Sequence, residues 1–272
     1  MFTQLHFVAL ASYGLTVAVV AVPFLKLREA PAPGSVPVAL NAIGVLAHFA
    51  GLLLFVRAFG SLPLAGFAPS LSSLAFLLAL LALGIQWLTG GNSIVLVAGP
   101  LIVGVMVLAL ASGFGPAPTA PMEEGAWFVI HAGASLLGLA LMAVSFASAA
   151  LYLVQHRVLK QRRFGVMFQF LPPLEQLDRL NYLALVIGFP VLSLGVVLAA
   201  GYLGQSASTG GARLAHLGWG LLSWVILGAI AALRFRGAIN GRRAAVASVL
   251  GFCAVAIIYL VLVVLGSGGR FL

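Results

Sequence analysis

The sequence predicts an all-α integral membrane protein, a bundle of about eight transmembrane helices with both termini on the outer side of the membrane. Three observations predict it. Hydrophobic residues make up 62% of the chain and charged residues only 7%, against roughly 25% charged in a soluble domain. So little polar surface cannot coat a water-soluble globule, and the bilayer is the solvent for most of the chain. Apolar runs of about 20 residues, the length that crosses a hydrocarbon core, recur with Pro, Gly and charge between them. Basic residues outnumber acidic ones by 14 to 5 and cluster between alternate runs.

The first span covers residues 5–25. No basic stretch or small-residue cleavage signal accompanies it, so it reads as a retained span and not a signal peptide. "KLREAPAPGS" separates it from the second span at 37–57, and "GSLPLAGFAPS" leads to the third at 71–89. Only the tight turn "TGGNS" parts the third from the fourth at 94–112. "GFGPAPTAPMEEG" precedes the fifth, 126–155, which is longer than a bilayer requires, so that it tilts or projects beyond the membrane. In "LPPLE", Pro172 and Pro173 end one helix and pre-set the start of the next. The sixth, seventh and eighth spans follow at 180–203, 213–233 and 244–266, parted by "GQSASTGG" and "RFRGAINGRR". The loops are too short to bury a core, which leaves one polytopic domain over residues 1–272.

Charge orients this bundle. With eight spans, the loops after spans one, three, five and seven share a side. That side holds Lys26, Arg28, Arg157, Lys160, Arg162, Arg163, Arg179, Arg234, Arg236, Arg242 and Arg243, eleven of the fourteen basic residues. Only Arg57, Arg213 and Arg270 lie on the other. The richer side is cytoplasmic by the positive-inside rule, and the termini face outward.

Four of the five histidines then fall in the outer leaflet: His6, His48, His131 and His216, with His156 in the cytoplasmic basic loop. Each of three helices carries its His on a small or polar stripe at three- and four-residue spacing: His131, Ser135, Gly138, Met142 and Ser145 on the fifth; Asn41, Gly44 and His48 on the second; His216, Gly220 and Ser223 on the seventh. Lipid offers a polar group nothing, so such stripes face other helices, and the three are expected to converge on one site. A single boundary His more often snorkels to headgroups; four on one side favour a ligand. Imidazole in a dry cavity suits haem iron, zinc or copper. Zinc needs more donors than the outer spans provide, whereas two histidines fill the axial positions of a haem. Arg57 and Arg213 then match the two propionates, and Trp127 and Trp219 flank the porphyrin, although arginines at headgroup depth also bind lipid phosphate and tryptophans form the interfacial belt.

Three stretches resemble a known family: "HAGASLLGLALMAVSFASAALYLVQHRVLK", "LPPLEQLDRLNYLALVIGFPVLSLGVVLAAGYLG" and "GWGLLSWVILGAIAALRFRGAINGRRAAVASVLGFCAVAIIYLVLVVLGSG". A basic tail follows the first, a Pro-Pro-Leu juncture and a Leu-x-Leu-Gly pattern mark the second, and a Gly-Arg-Arg-Ala turn marks the third. They resemble the cytochrome c assembly proteins of the CcsA and CcmC type, most of all the short YpjD- and HemX-like members without a tryptophan-rich loop. The resemblance is strongest over residues 126–268. It implies haem handling at the outer, periplasmic, face of a bacterial inner (cytoplasmic) membrane, with His131 as the family's outward-facing haem ligand and His216 near the second position. Where haem-presenting members carry a tryptophan-rich platform, this chain has "YLGQSASTGGARLAHLGWG".

The expected function is therefore non-enzymatic: binding of haem b by His131 and His216, with His48 as alternate ligand or part of an access path, for transport, delivery or sensing. Expected partners are the lipid bilayer, haem and other cytochrome assembly or haem-pathway proteins. The alternative is a cofactor-free regulatory or scaffold subunit acting on a partner docked near Arg162 and Arg163, in tetrapyrrole synthesis or cytochrome assembly. An acid–base hydrolase lacks paired carboxylates, a coupled transporter lacks an acidic group within the spans, and no nucleic-acid-binding module is present.

Overall fold

The computed structural model describes residues 2–26, 36–115, 125–161, 170–203 and 211–266, with side chains to residue 201 in the fourth range and over 218–262 in the last. Among the described residues the chain forms eight long helices and no strand. They are α1 (Phe2–Leu25), α2 (Val36–Phe59), α3 (Phe67–Thr89), α4 (Val95–Ala111), α5 (Ala126–Lys160), α6 (Leu174–Leu203), α7 (Gly211–Phe235) and α8 (Arg242–Gly266). All but α4 are long and apolar enough to cross a membrane, which makes this a multi-pass membrane protein. Helix α4 is apolar but has 17 residues, a length of roughly 26 Å.

Helices outrun the apolar runs that predict them. Helix α3 begins at Phe67 rather than 71, and α6 at Leu174 rather than 180. At α6 the reason is local. The Pro173 carbonyl accepts the Leu177 N–H at 3.2 Å, and Glu175 sits in the first turn, where a carboxylate suits the helix dipole. This polar turn is helical without being apolar. Helix α5 runs 35 residues to Lys160, with Arg157 and Lys160 in its last turn. At about 52 Å it exceeds any hydrocarbon core.

The helices pack as two groups of four. In the first, α2 lies between α1 and α3, and α4 closes on α1 and α3. In the second, α5 packs on α6 and α8, and α7 on α6 and α8; α3 and α4 join the groups through α5. The most extensive interface, α5 on α6, depends on glycine. A Cβ at Gly138 would fall 2.8 Å from Leu192 backbone atoms, and one at Gly195 would fall 3.0 Å from the Ser135 nitrogen. Ring contacts identify the ends. Phe2 packs on Phe55, Phe59 and Phe114, so α1 starts where α2 and α4 end. Phe24 packs on Phe170, and Arg234 pairs with Asp178, at the opposite end.

Candidate functional site

His131 stands in the second turn of α5, half-buried against α6. Its Nδ1 lies 2.8 Å from the Gly195 carbonyl oxygen. A carbonyl only accepts, so Nδ1 carries the proton and Nε2 the lone pair. Metal-binding imidazoles are oriented in this way, by a backbone carbonyl on the far nitrogen. One turn earlier the Trp127 indole N–H donates to the Leu198 carbonyl at 3.1 Å. The α5 stripe faces α6 as its period predicts: Ser135 lies under Gly195, Gly138 under Leu192 and Met142 under Gly188. Ser145 binds Asn181, whose amide nitrogen reaches Ser145 Oγ at 2.8 Å and Ser248 Oγ at 3.0 Å. That one amide ties α5, α6 and α8 together.

Trp219 on α7 is engaged within its own group. Its indole donates to the Val255 carbonyl at 3.1 Å and its ring packs 4.8 Å from Tyr259. Ser223 is buried on the same helix. Arg213 and His216 lie outside the residues whose side chains are described, as Glu123, Glu124, Arg162 and Arg163 lie outside the described residues altogether. Arg57 is exposed in the last turn of α2.

The α2 stripe turns elsewhere. Asn41, Gly44 and His48 are all buried, but against α1 and α3. The expected convergence of the second and fifth helices is thus corrected: α2 closes on α1 and α3, and the α5 stripe closes on α6. A repeat of 3.6 residues shows that a face is inward without showing which neighbour covers it. His48 Nδ1 lies 3.3 Å from the Tyr13 hydroxyl and its Nε2 2.9 Å from Ser72 Oγ. His6 packs edge-on against His48, with ring centroids 5.1 Å apart. Tyr13, Ser72 and Gln86, which sequence reasoning missed, thus join His6 and His48 in one cluster. Their signal is helical spacing, since seven residues part His6 from Tyr13 on α1 and fourteen part Ser72 from Gln86 on α3, two and four turns on one face.

At the opposite end, buried Arg234 donates to Asp178 at 2.6 Å and to Asn240 Oδ1 at 3.0 Å, and stands over the Tyr182 ring. The cluster ties the α7–α8 turn to the start of α6 and places an acidic residue within a helix, paired. Among the described residues no three His, Cys, Asp or Glu side chains are grouped to hold a metal ion.

A family model described as Cytochrome C assembly protein matches residues 39–269. The match takes in α2–α4 as well as the C-terminal half. The chain is similar to the cytochrome c biogenesis protein CcsA of Guillardia theta, 27% identical over 77% of this chain and 76% of that protein. It is similar to CcsA of Synechococcus sp. (strain CC9902), 25% identical over 95% of this chain and 93% of the relative. Protein HemX of Brevibacillus brevis matches at 28% identity over 36% of this chain and 38% of its own length.

Proposed function

The chain belongs to the cytochrome c assembly protein family, and from that premise we propose that it handles haem near the outer leaflet, for transport, delivery or sensing, and is not an enzyme. The observation that carries this reading is the His131 imidazole, whose Nδ1–H is held by the Gly195 carbonyl so that Nε2 is the basic nitrogen. The donor set fits haem better than a bare ion. Haem iron takes one or two axial imidazoles, and the described residues offer no cage of three or more ligands. In this reading His131 and His216 ligate the iron of haem b, and Arg57 and Arg213 meet the propionates. Trp127 borders the ring from one turn above His131. Trp219 takes a lesser part, since Val255 and Tyr259 already hold it. His48 receives no iron here, because both its nitrogens face hydroxyls.

The same reading has all eight helices cross a bacterial inner membrane as one domain, α4 included, with both termini periplasmic. Its support is that Lys26, Arg157, Lys160, Arg179, Arg234, Arg236, Arg242 and Arg243 lie where α1, α5 and α7 end and α6 and α8 begin, the end that the positive-inside rule makes cytoplasmic. Lipid, haem and other assembly proteins are its partners.

The test is an absorption spectrum of protein purified in mild detergent from haem-replete cells, beside His131→Ala. A Soret band that the variant loses makes His131 a ligand. Absence of the band, even after haem is added, removes the haem reading and leaves a cofactor-free scaffold.

A further inference from the structure

The turn between α7 and α8 brings four arginines, Arg234, Arg236, Arg242 and Arg243, into ten residues. Its shape is fixed from within. Gly237 takes a left-handed φ of 67°. The Ala238 N–H donates to the Leu233 carbonyl at 3.0 Å, and the Gly237 N–H to the Arg234 carbonyl at 3.1 Å. Those two bonds are the cap that a left-handed glycine makes, and they close α7. Asn240 Nδ2 then donates to the Gly237 carbonyl at 3.2 Å. At its far side the turn passes so near α5 that a Cβ at Gly241 would fall 3.0 Å from the Tyr152 hydroxyl.

The turn is also fastened to α6. Arg234, 6% exposed, sends one terminal nitrogen to Asp178 and the other to Asn240 Oδ1 and the Ile239 carbonyl. Its charge is thereby matched inside the protein. Arg236, Arg242 and Arg243 differ from it, for all three are exposed. Arg234–Asp178 is the one ion pair among the described residues, and Glu175, the other described acidic side chain, pairs with none of them. A rigid turn thus presents three arginines to which the protein supplies no counter-charge.

The positive-inside rule accounts for basic residues in loops, but it asks for neither a rigid frame nor a particular depth. Depth sets these three apart. They stand where α7 ends and α8 begins, at the level of Tyr152 on α5. Arg157 and Lys160 lie five and eight residues past Tyr152 on that helix, about 7 and 12 Å farther out. Beside the turn, Tyr182 and Phe235 are exposed and packed edge to face, with ring centroids 6.3 Å apart. Phe235 adjoins Arg236. A cationic rim and an aromatic wall therefore lie together, as a molecule with an anionic head on an apolar chain requires. Guanidinium suits phosphate in particular, because its fork meets two oxygens at once.

We infer that the α7–α8 turn is a binding site for an acidic phospholipid. Arg236, Arg242 and Arg243 supply the cations for the headgroup phosphate, and Tyr182 and Phe235 border the upper part of an acyl chain. Free phosphate or an acidic protein segment meets the same arginines but gains nothing from the aromatic pair, which favours lipid. Arg234 holds the turn and meets no lipid. The site lies at the end of the bundle opposite His131 and does not depend on haem binding.

The test is native mass spectrometry of the full-length protein in detergent, titrated with phosphatidylglycerol or with phosphatidylcholine of the same chains. The wild type should bind the acidic lipid more tightly. Arg242→Gln combined with Arg243→Gln should weaken that binding by roughly tenfold or more, and Arg236→Gln alone by roughly fivefold. Arg157→Gln combined with Lys160→Gln removes the same charge from the same end and should change it less than about twofold, since those residues stand off the headgroup layer. The substituted side chains are all exposed or at a helix end, so the variants should unfold at the same temperature as the wild type. Equal losses in the two double variants would reduce the site to net charge and overturn it. Equal binding of the two lipids would overturn it too. Displacement of the acidic lipid by millimolar inorganic phosphate, or by a glutamate-rich peptide, would show a site for free anions and likewise remove the lipid.

Discussion

Glycines make room for side chains in both halves of this molecule, but only in one do they also bring backbones together. In α5–α8, Gly138 and Gly195 let backbones touch: Leu192 backbone atoms and the Ser135 nitrogen occupy the space a Cβ would need. In α1–α4, Gly44 and Gly51 instead make room for rings, those of Tyr13 and His6. Apolar side chains gain little by leaving lipid for one another, so close packing and polar contacts decide how membrane helices associate. The C-terminal half takes the first route and presents His131 from a rigid pair of helices. The N-terminal half takes the second and encloses a file of polar groups with space beside it.

Breaking the C-terminal half should therefore cost most, and Arg234→Met heads the order. The arginine is buried, with Asp178 as its partner across the α6–α7 contact. Removing one member of a fully buried pair costs about 3–5 kcal/mol; Asp178, left behind here, is 31% exposed, so the loss falls toward the lower end of that range or below it. Thermal unfolding in detergent should show the loss, and Arg234→Met combined with Asp178→Leu should recover part of it. If the double variant is no better than the single one, Arg234 acts through Tyr182 and Asn240 rather than through its charge.

Gly138→Val comes next. Its added atoms meet backbone, which cannot swing aside as a side chain can. Overpacking costs about 1–3 kcal/mol, and separation of α5 from α6 would also pull the Gly195 carbonyl from His131. Stability should fall, and any Soret band that His131 supports should fall with it. Gly133, on the same helix, has nothing within 4 Å of a built Cβ, so Gly133→Ala should leave both readouts intact. A stable Gly138→Val protein would mean that the backbone contact is not what holds the half together.

This contrast also marks what the sequence revealed. Apolar runs announced the helices, because only a helix or a closed barrel satisfies its backbone in lipid. Their ends were less visible, since Phe67–Ser70 and Leu174–Arg179 are helical without belonging to those apolar runs. Inward stripes were legible from period alone on α2 and α5. Their partners were not. His48 meets Tyr13, Ser72 and His6, all on helices that periodicity treats separately, and the fit that selects them is one of side-chain shape. In the C-terminal half His131 was singled out by its place at the head of a span, but the Gly195 carbonyl that fixes its tautomer lies on another helix.

The smallest effect sharpens the comparison most. Asn41→Leu removes the donor to Gln86 Oε1 in a fully buried place. If the small cavity that Asn41 lines with Tyr13 and Thr16 is dry, the acceptor is stranded and the cost is about 1–3 kcal/mol, as large as that of Gly138→Val. If the cavity holds water, the water takes the place of the amide, and the cost falls near the 0.6 kcal/mol or so typical of a hydrogen bond between membrane helices. The expected result is the small one, measured as a shift in unfolding midpoint beside Gly138→Val. A large loss would mean that the polar file is the adhesive of its half, and the two halves would then differ in the groups they use but not in how tightly they are bound.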